Sequence, residues 1–229
     1  TITDNTLTGT YTVGTGENSS ALTVTSITSQ NVSDAAGNTL TDTSLPSTNI
    51  DDGSAIVIDT TTLSLQSFTS TTVNGSYKEG DTINITATYD DNIASGSVVV
   101  ELDTSVSVTL STITDNTLTG TYTVGTGENS SALTVTSITS QNVSDAAGNT
   151  LTDTSLPSTN IDDGSAIVID TTTLSLQSFT STTVNGSYKE GDTINITATY
   201  DDNIASGSVV VELDTSVSVT LSTITDNTL

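Results

Sequence analysis

The feature that most constrains this chain is that it repeats itself without a single difference. Thr1 recurs as Thr112 and again as Thr223, an offset of 111 residues (112 less 1), and every position between matches its copy. The 229 residues are therefore two copies of one unit, followed by residues 223–229, which begin a third. Identical units of this size read as tandem domains that each close their own core, rather than as one large fold. The stretch from Ala55 to Thr61, Ala-Ile-Val-Ile-Asp-Thr-Thr, returns as 166–172 and marks where one domain ends and the next begins. On this reading residues 1–58 are the C-terminal half of a repeat, 59–169 a complete repeat, and 170–229 the N-terminal half of the next.

Each unit must bury a core with few large side chains, because the chain is 32% hydrophobic and only 3% aromatic. Val, Ile, Leu and a few Tyr must supply it. Thr and Val are β-branched and favour the pleated backbone, and no long run of Ala, Leu, Glu and Lys recurs at helical spacing, so the unit is expected to be all-β. Ile83, Ile85, Ala87 and Tyr89 alternate with Thr82, Asn84, Thr86 and Thr88, a period of two that buries one face of a strand. Six further strands are expected around Leu63–Phe68, Val98–Leu102, Val106–Leu110, Leu118–Val124, Leu133–Ile138 and Ala166–Ile169. The apolar spacing slips by one after Val135, which predicts a bulge. Turns are expected at Asn74-Gly75-Ser76, at Asp103-Thr104-Ser105 and in a polar loop running to Gly164. Seven short strands in about a hundred residues predict tandem Ig-like β-sandwich domains.

Charge narrows the function. Twenty-seven Asp and Glu stand against two Lys, a formal net charge of −25, so the chain is expected to bind neither nucleic acid nor an anionic membrane. No stretch of about 18 apolar residues occurs, so no membrane insertion is expected from this segment. With no His and no Cys, neither a Ser-His-Asp nor a Cys-His arrangement can be built, and zinc and copper lose their usual ligands. Only a carboxylate pair of glycosidase type would remain, and the adjacent Asp90 and Asp91 suit it poorly, so no enzyme is expected. Clustered carboxylates repel one another, and a divalent cation among them removes much of that penalty.

Three motifs in fixed order carry a resemblance. Asn74-Gly-Ser-Tyr-Lys-Glu-Gly-Asp-Thr-Ile-Asn-Ile85, the loop Asp145-Ala-Ala-Gly-Asn149 and the ending Ala166-Ile-Val-Ile-Asp-Thr171 resemble bacterial Ig-like repeats. Such repeats form the extender regions of giant RTX-type cell-surface adhesins, including biofilm and ice-binding adhesins of marine bacteria. The resemblance spans the whole repeat. It implies a secreted protein at the bacterial cell surface, in which a calcium-stiffened rod projects a terminal binding domain outward.

Sandwich topology sets the candidate ligands at two poles. Asp59, Asp90, Asp91 and Asp145, with Asn92 and Asn149, are expected at one. Glu79, Asp81 and Glu128 are expected at the other, with Asp170 in the following hinge. Asp201 and Asp202 repeat Asp90 and Asp91 one unit on. Calcium takes six to eight oxygens, and stacking the poles head to tail gathers such oxygens at each junction. Each residue also has a plain alternative: Asp81 as a turn residue, Asp145 as the cap of its own loop, Asp59 and Asp170 as polar linkers. No EF-hand loop or glycine-rich nonapeptide is present, so a site must be assembled from several loops.

Adjacent identical repeats are the expected partners. Neither terminal half can bury a core alone, so the C-terminal half of one molecule is expected to complete the N-terminal half of another, a non-closing contact that builds filaments. A ligand-binding module, presenting regular Thr hydroxyls to ice or carbohydrate, is the alternative function.

Overall fold

The computed structural model describes residues 2–53 and 55–229. Two units are present, one ending at Asp170 and the other comprising Thr171–Leu229. Among the described residues before the complete repeat there are four two-residue strands, β1 (Ile2–Thr3), β2 (Thr6–Leu7), β3 (Val32–Ser33) and β4 (Thr39–Leu40), paired as β1 with β2 and β3 with β4.

The complete repeat is the sandwich the alternation predicts. Its strands are β5 (Leu65–Thr69), β6 (Gly75–Tyr77), β7 (Thr82–Tyr89), β8 (Val98–Leu102), β9 (Ser107–Leu110), β10 (Thr112–Thr114), β11 (Thr117–Thr123), β12 (Val135–Gln141), β13 (Val143–Ser144), β14 (Thr150–Leu151) and β15 (Ile167–Ile169). One antiparallel sheet has the order β10-β11-β7-β5 and the other β12-β8-β9. β7 buries Ile83, Ile85, Ala87 and Tyr89 completely, while its Thr residues face outward. These side chains pack with Phe68, Val100, Leu110, Leu118 and Tyr122 into one core. Each large apolar side chain so buried contributes about 1.5–3 kcal/mol.

The chain changes sheets at Ser111: β9 belongs to the second sheet, β10 to the first, and the Ser111 amide donates to the Thr119 carbonyl at 3.2 Å. The two sheets nearly touch there. A Cβ on Gly120 of β11 would stand 2.5 Å from the Thr109 carbonyl oxygen and 2.6 Å from Leu110 Cδ2, so only glycine fits. The expected slip after Val135 is present as register shifts between Val135 and Ser137 and between Ile138 and Ser140. Ser105 takes φ 64 in the expected turn between β8 and β9, its amide donating to the Leu102 carbonyl at 2.9 Å.

Several elements depart from the sequence reading, among them the short strands β13 and β14, which pair across the Asp145 loop. Asn74-Gly75-Ser76, expected as a turn, leads into β6, which pairs in parallel with β15: Ile167 opposite Gly75 and Ile169 opposite Tyr77. Turn-forming residues extend here because the last strand offers them a partner, which local propensity does not record. β10 is an extra strand formed by Thr112–Thr114 against β11. The polar loop before Gly164 contains a one-turn 3-10 helix, Ile161–Asp163, whose Asn160 and Asp163 cap it reciprocally and whose Ile161 is buried.

The second unit has β16 (Leu176–Thr180) against β17 (Thr197–Tyr200) and β18 (Val209–Glu212) against β19 (Ser218–Leu221). Its small core holds Ala198, Ile204, Leu221 and Leu229.

Candidate functional site

The sequence places carboxylates in loops at both ends of the sandwich, and the strands decide which meet. Asp59, Asp90, Asp91 and Asp145 line one cleft of about 590 Å³, together with Asn18, Ser19 and Ser20 from the preceding copy and Leu63 from the start of the complete repeat. Asp90 follows β7, and its Oδ1 accepts the Ser64 amide at 2.7 Å. Asp91 Oδ1 accepts the Asn92 amide at 2.6 Å. Asp145 is buried, and its two oxygens accept the backbone and side-chain N–H groups of Asn149, both at 2.9 Å. Asn149 Nδ2 also donates to the Asp59 carbonyl at 3.1 Å, which fastens the Asp145 loop to the hinge.

That hinge is short and held from both sides. Ile58 is buried, and Leu63 already belongs to the core of the complete repeat. Between them the Thr60 amide donates to Asn18 Oδ1 at 2.8 Å, the Gly16 amide donates to Thr60 Oγ1 at 3.1 Å, and the Thr61 amide donates to Asp59 Oδ1 at 2.9 Å. On the far side of the hinge the preceding copy closes on itself through Ser19 and Ile58, whose amides and carbonyls exchange hydrogen bonds at 2.8 Å.

The opposite pole gathers Glu79, Asp81 and Glu128, as expected. Strands β7 and β11 bring their loops together: the Gly80 amide donates to the Val124 carbonyl and the Val124 amide to the Asp81 carbonyl, each at 2.9 Å. The carboxylates there have local partners. Glu79 Oε1 accepts Thr126 Oγ1–H at 2.6 Å. Glu128 Oε2 accepts the Tyr122 hydroxyl at 2.6 Å and the Gly125 amide at 2.7 Å. Asp81 accepts the Lys78 amide at 2.9 Å and pairs with the Lys78 ammonium at 3.3 Å, which together hold its carboxyl below the usual range. Burial and the Glu128 bond push the Tyr122 hydroxyl up to about 12. The Asp170 amide donates to the Tyr77 carbonyl at 2.9 Å, which ends β15 at this pole. In the second unit Asp201 and Asp202 repeat the contacts of Asp90 and Asp91, with the Ser175 amide at 2.8 Å and the Asn203 amide at 2.7 Å.

The donors lining the cleft are hard carboxylate, amide and hydroxyl oxygens, the chemistry a calcium ion takes. Among the described residues, however, no three Asp or Glu converge closely enough to hold one ion. Two residues beside these sites escaped the sequence reading. Asn18 clamps the hinge, and its signal was its place at the end of the glycine-containing loop Gly14-Thr15-Gly16-Glu17-Asn18, an amide among residues otherwise weighed for their carboxylates. Asp103, read as a turn residue, accepts Ser130 Oγ–H at 2.5 Å beside the Glu128 loop, a contact 27 residues away that no local pattern announces.

Fold and cleft together define an all-β sandwich repeat with four carboxylates lining one cleft where one copy joins the next. Compared with family models, with curated proteins and with solved structures, the chain matches none.

Proposed function

We propose that this chain is an extender, a structural spacer of tandem sandwich repeats that sets a terminal binding domain of a secreted bacterial adhesin away from the cell surface. The observation that carries this reading is the clamped hinge: residues 59–62 link two copies and are fixed by Asn18 on one side and Asn149 on the other. A linker so short and so bonded transmits direction from one repeat to the next, which a free coil does not. Calcium is the proposed stiffening ion. Asp59, Asp90, Asp91 and Asp145 line the cleft without converging, so an ion there would have to draw them together with the neighbouring amide and hydroxyl oxygens, and it would supply positive charge that offsets their mutual repulsion.

The test is a thermal melt with X-ray scattering, first in EDTA and then in millimolar calcium. Calcium is expected to raise Tm and lengthen the maximum dimension, with stabilisation of about 2.7 kcal/mol at a hundredfold excess over Kd. Asp145→Asn and Asp91→Asn are expected to lose most of that gain. Unchanged melting and unchanged scattering would leave the acidity as solvation and overturn the calcium part of the reading.

One observation favours a second reading, a binding module for ice or carbohydrate. Across the four-stranded sheet, the register aligns Thr69, Thr86, Thr119 and Thr112 in one row and Ser67, Thr88, Thr117 and Thr114 in the next. These form two parallel rows of hydroxyls on the outer face. Retention on ice or on a glycan array, lost in Thr86→Val with Thr119→Val, would support it; passage through both unretained would remove it.

A further inference from the structure

An asparagine followed by glycine is open to attack by its own backbone, because glycine has no side chain to keep the next amide away from the carboxamide. That pair occurs at Asn74-Gly75 and again, one unit on, at Asn185-Gly186; every other Asn is followed by Ser, Thr, Val or Ile, whose side chains crowd the amide. In the complete repeat Asn74-Gly75 opens β6, and one residue beside the last strand holds both groups that would react. The Gly75 amide donates to the Ala166 carbonyl at 3.0 Å, and Asn74 Oδ1 accepts the Ala166 amide at 3.2 Å. The parallel ladder continues from Ile167 opposite Gly75 to Ile169 opposite Tyr77, and ends where the Asp170 amide meets the Tyr77 carbonyl. Asn74 and Gly75 are both exposed to water, so it is this pairing and not burial that shields them. Gly75 takes φ 155, a backbone that residues with a Cβ seldom adopt, so the position excludes a neighbour that would slow the reaction.

We propose that Asn74-Gly75 is a modification site, a deamidation site that β15 keeps closed and that reacts when β6 and β15 part. While they are paired, the Gly75 N–H is committed to the Ala166 carbonyl and the Asn74 carboxamide to the Ala166 amide, so neither can turn on the other. Among the described residues β6 has no strand beside it but β15, and three residues are a short ladder, so this pair can open without the core. Once freed, the Gly75 nitrogen gives its proton to solvent base and bonds to Asn74 Cγ. The bond from Cγ to Nδ2 breaks, and that nitrogen takes up a proton and leaves as ammonia. Water then opens the resulting succinimide at either carbonyl, leaving Asp at position 74 or an isoaspartyl link in which the backbone runs through Cγ. The second product lengthens the backbone where β6 begins and puts Gly75 out of step with Ala166. Conversion is one-way, so a converted repeat keeps a record that its last strand has been open. The chemistry is the same whether or not calcium binds and whatever the repeats are for.

The unaltered chain is incubated in mildly alkaline buffer, folded and in urea, and then cut after Lys78 and Lys189, which leaves Asn74 in fragment 1–78 and Asn185 in fragment 79–189. Conversion is read as the mass gained when an amide becomes an acid, and as labelling by an isoaspartyl methyltransferase. In urea Asn74 is expected to convert ahead of every other Asn in its fragment, and Gly75→Ala, also in urea, to slow it. In the folded chain its conversion is expected to be more than about tenfold slower, the protection that strand opening sets. A second measurement needs no substitution. At urea concentrations below the unfolding transition, hydrogen exchange at the Gly75 amide and conversion of Asn74 are expected to rise together, since both wait for the same opening. Equal conversion of Asn74 in the folded chain and in urea, no conversion in either, or exchange at Gly75 that rises while conversion does not, would overturn the proposal.

Discussion

Residues 112–169 and residues 1–58 are the same sequence in two surroundings. In the complete repeat Thr117–Thr123 form a seven-residue strand between β10 and β7; in the first copy the equivalent residues form only Thr6–Leu7. Val135–Gln141 is a strand against β8, whereas its earlier copy makes none. The difference teaches that these strands are properties of a pair. A strand's backbone groups need a partner ladder and its apolar face needs the opposite sheet; without them the same residues stay in water.

The comparison is most easily broken by truncating the core in both places. Phe68→Ala is expected to destabilise the complete repeat by about 3–5 kcal/mol, the usual range for a buried Phe, while Phe179→Ala, largely exposed, changes stability by less than about 0.5 kcal/mol, as surface substitutions do. Urea melts of the two variants would check it, and equal losses would end the argument. Glycine sharpens the point. Gly120→Ala forces a Cβ against the Thr109 carbonyl and should cost about 1–3 kcal/mol, whereas Gly9→Ala meets nothing within 4 Å and is expected to be neutral.

A smaller effect should be the same in both copies. Asn160 and Asn49 cap identical one-turn helices with the same reciprocal bonds to Asp163 and Asp52. Asn160→Ala is therefore expected to cost about 1 kcal/mol, and Asn49→Ala should remove a comparable local protection, read by amide exchange at Asp52 and Asp163.

Alkali gives the mildest test. Tyr11 is held above its ordinary range first by its bond to Glu17, while Tyr122 is raised to about 12 first by burial. An unfolded Tyr ionises near pH 10. Between that value and about 12 the folded chain retains a proton at Tyr122 that the unfolded chain has lost, so stability falls as pH rises through this window. Tyr122→Phe is expected to reduce this alkaline slope, leaving the part due to Tyr89, which burial also holds above its ordinary range, and Tyr11→Phe to leave the slope of the complete repeat unchanged.

Part of the candidate site was legible because it is local. Asp145 and Asn149 sit four residues apart in one loop, and Asp34 and Asn38 make the same two bonds in the exposed copy, with the Asn38 amide and side chain both donating at 2.8 Å. The alternation through β7 and the bulge after Val135 were equally readable, since period two and its slip are written in the residue order. The cleft was only half legible. Strand order placed the four Asp at one pole, but the clamp by Asn18 and the pairing of β6 with β15 join residues 42 and more than ninety positions apart. Nothing in a local window encodes such a meeting.

The sequence by itself determined the repeat, the caps and those turns that close locally, and the copies agree on these. Asp4, Asp115 and Asp226 all take φ between 51 and 53, and Asn49 and Asn160 cap the same one-turn helix with the same reciprocal bonds. Those structures close within a few residues or across one tight turn. The tertiary structure alone decided which copies become sandwich, because a strand is fixed only when another strand satisfies its backbone and an opposing sheet takes its apolar face out of water.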